Sequence, residues 1–132
     1  MAPLQHAKAM TFVVTADRAR AKAFYADVLG FPPVHEDQFA CVFDLNGTAL
    51  RLSEAEAFRP QPHTVLGWQV GDIVATIEEL RAKGVVFTIY DGFGQDVLGI
   101  WSPPGGDTKV AWFQDPDGNV LSVAQFAPGA AA

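Results

Sequence analysis

The stretch Val110–Phe126, VAWFQDPDGNVLSVAQF, decides how the rest of this chain is read. Two apolar runs, Val110-Ala-Trp-Phe113 and Val120-Leu-Ser-Val123, flank the polar connector Asp115-Pro116-Asp117-Gly118-Asn119. The connector is built for reversal. Pro116 fixes φ at the first corner, Asp117 can bond its own backbone, and Gly118 supplies a positive φ without a Cβ penalty. With β-branched and aromatic residues on both sides, the stretch reads as a β-hairpin.

Working outward, the chain contains this hairpin twice. The earlier copy is Cys41–Ser53, CVFDLNGTALRLS. Superposing Gly47 on Gly118 places Phe43 near Phe113, Leu50 on Leu121, Arg51 on Ser122 and Leu52 on Val123. A second pairing lies upstream. Phe12–Asp17 leads into a helical pattern over Ala19–Leu29 and then Gly30, while Gly67–Asp72 leads into a helical pattern over Ile73–Ala82 and then Gly84. Matching Asp17 to Asp72 brings Thr15 onto Val70 and Met10 onto Val65. The repeat predicts two βαβββ units, about residues 8–58 and 63–126, within one α+β domain spanning 1–132.

Taken in order, Met1–Lys8 is polar and Met10–Thr15 is a strand, with Asp17 as N-cap of the helix that follows. Ala21, Phe24, Tyr25, Val28 and Leu29 recur at the spacing of a helix packed on a sheet, and Gly30 closes it. Strands are predicted over Pro33–Asp37, Phe39–Asp44, Thr64–Val70 and Val85–Tyr90, with Ala55–His63 as the linker between halves. The Gly- and Pro-rich run Asp91–Asp107 is long for a compact domain, and loops of that length are usually functional or mobile. It carries Phe93, Ile100 and Trp101, so it is expected to fold over something rather than leave them in water. Ala127–Ala132 is expected to be a disordered tail.

Composition narrows the class. Of 132 residues, 49% are hydrophobic, enough for a real core. The net charge of −6 and the nine scattered basic residues argue against nucleic acid and anionic membranes as partners. No run approaches the ~20 apolar residues of a membrane span, and the N-terminus lacks an apolar signal core. The lone Cys41 lies in an apolar run and reads as a buried thiol, in keeping with a reducing, cytoplasmic setting.

Phe24–Phe31 (FYADVLGF) after a strand ending at Asp17, then Glu78–Phe87 (EELRAKGVVF), then Trp112–Asn119 (WFQDPDGN) resemble the vicinal oxygen chelate superfamily, the group of glyoxalase I, bleomycin-resistance proteins and extradiol dioxygenases. The resemblance covers about residues 9–126 in the family's order. It implies two paired βαβββ modules curling into a half-open barrel around a shared cavity, and, for a member with one such pair, a homodimer.

By the same resemblance, the family's enzymes hold a divalent metal through a His or Gln on the first strand, a Glu on the fourth, a His on the fifth and a Glu on the eighth. Those positions here are Met10, Arg51, Val65 and Ser122, and the internal repeat pairs them as one set expected to surround the cavity. None is a first-choice ligand for a divalent ion, and a guanidinium would repel one. No metal and no cofactor are therefore expected. His63 and His6 share strand parity with Val65 and Met10, but a register shift toward them would bring no carboxylate along. His35, beside Glu36 and Asp37, reads as solvated.

The remaining candidates are few. Asp115 and Asp117 are accounted for by turn chemistry, and Glu54 and Glu56 by surface charge. Arg51 pairs with a carboxylate, reaches solvent, or awaits an anionic ligand. Phe12, Trp68, Trp112 and Phe113 are core by default, while Trp101 belongs nearer the pocket. The expected ligand-binding set is Met10, Phe12, Arg51, Val65, Gln69, Trp101 and Ser122, with no catalytic residue assigned. The reading favoured is a metal-independent protein that binds a small organic molecule, similar to the sequestering members of the family. The alternatives are a lyase- or dioxygenase-like enzyme with an unconventional metal site, and a dimeric module with no small ligand.

Overall fold

The computed structural model describes residues 2–127, so most of the tail expected at Ala127–Ala132 lies outside the described residues. The architecture is α+β: two helices and two sheets, one of four strands and one of three. The chain falls into two compact units that divide between Arg59 and Pro60, inside the proline-bearing segment expected to link the halves.

The first unit runs β1 (Met10–Thr15), α1 (Arg18–Ala23), β2 (Pro33–Glu36), β3 (Ala40–Asp44) and β4 (Ala49–Glu54), in the sheet order β1-β4-β3-β2. Asp17 caps α1: its backbone is extended (φ −144°) and its carboxylate accepts from the Arg20 N–H. A second side chain serves the same helix end, for the Arg18 N–H donates to Glu54 Oε2 at 3.0 Å. Glu54 thus does more than the surface charge its sequence suggests. The helix expected over Ala19–Leu29 keeps α-geometry only through Ala23 and continues as one wide π-turn over Phe24–Val28, with the Leu29 N–H reaching the Phe24 carbonyl at 3.0 Å. That extra residue per turn seats Tyr25, fully buried, against Phe43 with ring centroids 6.0 Å apart. Gly30 closes the element at φ 81°. Val13, Ala21, Phe43, Leu50 and Leu52 complete this core, and each large side chain buried there contributes roughly 1.5–3 kcal/mol.

The second unit runs β5 (Thr64–Gln69), α2 (Ile73–Ala82), β6 (Lys109–Gln114) and β7 (Val120–Gln125), in the order β5-β7-β6. Its helix start repeats the first: Asp72 caps with φ −142°, accepting from the Ala75 N–H, and the Ile73 N–H donates to Gln125 Oε1 at 2.8 Å. Ile73, Ile77, Phe113, Leu121 and Val123 are buried, with Phe87 packed on Phe113 at 5.2 Å and Trp68 stacked on it at 6.5 Å.

The expected strand Val85–Tyr90 is the main correction. It is reduced to one bridge, Phe87 to Phe113, and a Thr88 N–H to Trp112 carbonyl bond of 2.8 Å. The cause is a side chain. Gln95 accepts from the Tyr90 N–H (2.7 Å) and donates to the Thr88 and Gly99 carbonyls (2.9 and 2.8 Å), satisfying the backbone that a neighbouring strand would otherwise satisfy.

Candidate functional site

Each sheet has one face covered by its helix and one left open, and strand alternation assigns every residue to a face. In the first unit Val13, Thr15, Leu50 and Leu52 are buried on the helix side, which leaves Met10, Phe12 and Arg51 on the other. Phe12 is the register partner of Arg51, and Met10 pairs with Ala49 two residues along. Phe12 is 60% exposed, against the expectation that it is core. Arg51 is half-buried beside Phe12 and Val42, and among the described residues its guanidinium has no hydrogen-bond or ion-pair partner. Of the roles open to it, pairing with a carboxylate is the one this structure does not display. Near Met10 a groove of about 480 Å³ is lined by Lys8, Met10, Val34, Phe43, Asp44 and Ala49.

In the second unit Leu66 and Trp68 face α2 with Leu121 and Val123, so Gly67, Gln69 and Ser122 occupy the open face. Gly67 is the register partner of Ser122, and a Cβ on it would lie 2.6 Å from Ser122 Oγ. The serine hydroxyl therefore lies over Gly67 and would have to turn aside for a larger residue there. Val65 sits at a register irregularity, between Thr64 paired to Val120 and Leu66 paired to Leu121. The strand alternation that placed Val65 on the cavity face is broken at that point.

The same open face carries a feature the sequence did not announce. Trp112 pairs with Ser122 across the hairpin. Tyr90 and Phe93 pack on it with centroids 5.8 and 5.6 Å away, and they lie 6.1 Å from each other. Trp101 stands behind, 5.3 Å from Phe93 and 6.3 Å from Trp112, held by a two-way backbone bridge to Val110 (2.8 and 2.9 Å). Tyr90, Phe93 and Trp112 line an open concavity of about 350 Å³, with Pro62, His63, Thr64 and Val120 completing its lining. The long loop thus does fold over something, namely β6. Gln95 pins it, as does Asp96, whose Oδ1 accepts from the Leu98 and Ile100 N–H groups at 2.9 Å.

Trp101, expected in the binding set, is absent from the lining and packs behind it on Phe93 and Trp112, whereas Trp112, expected in the core, lines the pocket. The missed signal was parity: Trp112 alternates with the buried Ala111 and Phe113, so it must face the opposite side. Tyr90 and Phe93 had no such signal, because side-chain bonds within the loop set their positions. His63, at the end of the expected linker, lines the pocket.

The family's metal was tested against the chemistry of the donor set. Met10 offers a thioether, Arg51 a cation, Val65 nothing and Ser122 a neutral hydroxyl, whereas divalent ions of this class take imidazole and carboxylate. Among the described residues no three His, Cys, Asp or Glu side chains gather as a metal site. These residues do not fit the group. The Cys41 thiol is buried and its pKa is raised, chiefly by burial, which suits a structural rather than a nucleophilic cysteine.

Comparison with known proteins agrees with the fold. No curated protein sequence matches the chain. Among solved structures, a protein assigned to the glyoxalase family from Bacillus anthracis superposes with a TM-score of 0.73 at 16% identity, covering 96% of this chain and 100% of its own. A glyoxalase/bleomycin resistance protein/dioxygenase from Alicyclobacillus acidocaldarius superposes at 0.70 with 15% identity, covering 92% of each chain. A mutant of the genomically encoded fosfomycin resistance protein of Listeria monocytogenes, solved with Mn(II) and 1S,2S-dihydroxypropylphosphonic acid, gives 0.71 at 12% identity, covering 92% of this chain and 91% of its own. At such identities the likeness is one of fold. The family model for the Glyoxalase/Bleomycin resistance protein/Dioxygenase superfamily matches residues 4–123, and with the duplicated strand–helix–hairpin unit on the page, the chain belongs to that superfamily.

Proposed function

We propose that this protein binds a small organic molecule without a divalent metal, in the manner of the superfamily's sequestering members. The observation that carries the reading is the aromatic-walled pocket of the second unit, formed by Tyr90, Phe93 and Trp112. Exposed rings around a concavity give apolar burial to a ligand, and a few polar groups orient it. His63 and Thr64 supply those groups here. The donor set supports the metal-free half of the proposal, since a thioether, a guanidinium, an isopropyl group and a hydroxyl replace the imidazoles and carboxylates an enzyme of this class needs.

Arg51, Met10 and Phe12 form a second candidate surface, on the first unit, and Gln69 and Ser122 add polar groups on the open face of the second. We further propose a homodimer in the cytoplasm.

The test has two readouts on the same preparation. Elemental analysis of untagged protein purified without chelator is expected to find no stoichiometric nickel, zinc, iron or manganese. A thermal-shift screen of small aromatic and charged compounds, followed by tryptophan fluorescence, is expected to give saturable binding that a Phe93→Ala variant loses. Stoichiometric metal would overturn the metal-free reading and return the enzyme alternative, with His63 the first ligand to examine. Light scattering at micromolar concentration checks the dimer.

A further inference from the structure

We propose that the pocket of the second unit is a cage for a compact ammonium cation. This names the ligand class of the pocket proposed above and rests on that reading. The three lining rings meet at nearly right angles: Tyr90 and Phe93 at 69°, Tyr90 and Trp112 at 77°, Phe93 and Trp112 at 73°. Flat ligands are held in a slot between parallel rings, and no two of these three are parallel.

Three perpendicular walls form a corner, and a corner fits a rounded group. With centroids 5.6–6.1 Å apart, perpendicular faces that turn toward one point would stand about 4 Å from it, well within the roughly 6 Å reach over which an aromatic face attracts a cation. Packed on one another as they are, the rings keep open surface: Tyr90 is 38% and Phe93 44% exposed.

Charge points the same way. Besides His63 the pocket lining holds no basic side chain, and the chain carries a net −6 with its histidines neutral, so the long-range field draws a cation in. No carboxylate lines it either, so a small, strongly hydrated ammonium gains little, whereas an alkylated one loses little water on entering. Trp101 behind Phe93, inclined to it by only 32°, fixes the corner's back wall.

The experiment titrates the full chain with choline, with its neutral isostere dimethylbutanol, in which carbon replaces the nitrogen, and with flat, neutral naphthol, read by tryptophan fluorescence and calorimetry. Choline is expected to bind at least about tenfold more tightly than the isostere. Tyr90→Leu, which keeps apolar bulk at a partly exposed position, is expected to abolish that preference. His63→Lys places a charge in the pocket lining and is expected to weaken choline at least about tenfold more than it weakens dimethylbutanol. Equal affinity for the two isosteres, or equal effects of His63→Lys on both, overturns the cation cage and leaves a small-molecule pocket standing. Binding of naphthol without choline does the same. Failure of all three probes with an intact thermal transition overturns the cage and, with it, the pocket on which it rests.

Discussion

At the outer edge of the first unit's sheet, β2 lies hydrogen-bonded along β3. At the same place in the second unit there is no regular strand, only the bridge of Phe87 to Phe113, the bridge of Trp101 to Val110, and the Gln95 amide between Thr88, Tyr90 and Gly99. In their hairpins and helix starts the units correspond position by position. Phe12 pairs with Arg51 as Gly67 pairs with Ser122, and Phe43 pairs with Leu50 as Phe113 pairs with Leu121. Asp17 and Asp72 cap their helices alike, and Glu54 and Gln125 reach the first helical N–H in each. The framework is shared and the divergence is concentrated at one edge. The aromatic corner stands where the units differ: the second unit has its pocket at the edge where the first has β2.

The largest expected asymmetry lies in the hairpins. Asp115 is 5% exposed and its carboxylate accepts from the Asp117 N–H, the Asn119 N–H and the Asn119 side-chain amide. Its counterpart Asp44 is exposed and accepts from the Gly47 N–H. Asp115→Ala should cost about 3 kcal/mol in urea unfolding and Asp44→Ala less than about 1 kcal/mol. Equal costs would break the comparison. Next, Gln95→Ala leaves two carbonyls and one N–H without their partner and should cost about 2 kcal/mol, with faster amide exchange at Thr88–Ile100 and weaker ligand binding. Among the described residues of the first unit none bonds its edge backbone in this way, so its amides should not respond.

Where the units are alike, the effects should match. Asp17→Ala and Asp72→Ala should each cost about 1 kcal/mol; a twofold difference would show that the caps are not equivalent.

The smallest effect is one of pH. Glu36 is held below its usual 4.5, first by its hydrogen bond from Lys22 (2.6 Å), and Asp37 below 3.8, first by the Phe39 and Ala40 N–H groups. A lowered carboxylate pKa stabilises the fold above the unfolded value, and that stabilisation is lost as pH falls through the folded one. Below about pH 4 the β2–β3 hairpin should loosen first, read as faster exchange of the Phe39 and Ala40 amides, with solvent keeping the change small. The Gln95 staple does not titrate and should hold.

Much of this framework could be read beforehand because its signals are local. An Asp before an apolar stripe, a Gly after it and an Asp-Pro-Asp-Gly connector specify caps and turns within a few residues, and α2 and β1 fall where the pattern put them. The edge could not be read in the same way. Val85–Tyr90 has the composition of a strand, and what prevents one is a side chain five or more residues away in a glycine-rich loop. The Glu54 cap was hidden for a similar reason, since its acceptor role spans 36 residues. The π-turn at Phe24–Val28 adds a residue to a helix whose apolar spacing looks regular. For the binding set, the faces of Phe12, Arg51, Gln69 and Ser122 follow from strand alternation, whereas Tyr90 and Phe93 are placed by loop bonds no periodicity records.

The Gln95 staple also bears on how this chain behaves among its own copies. An uncovered strand edge offers a row of N–H and C=O groups to any passing chain, and sheet proteins that leave one open tend to associate. Here the Thr88 carbonyl and the Tyr90 N–H are already engaged by a side-chain amide. One glutamine therefore helps keep a chain that is half apolar in composition from polymerising along that edge, and replacing it would first be felt in the concentration the protein tolerates before it aggregates.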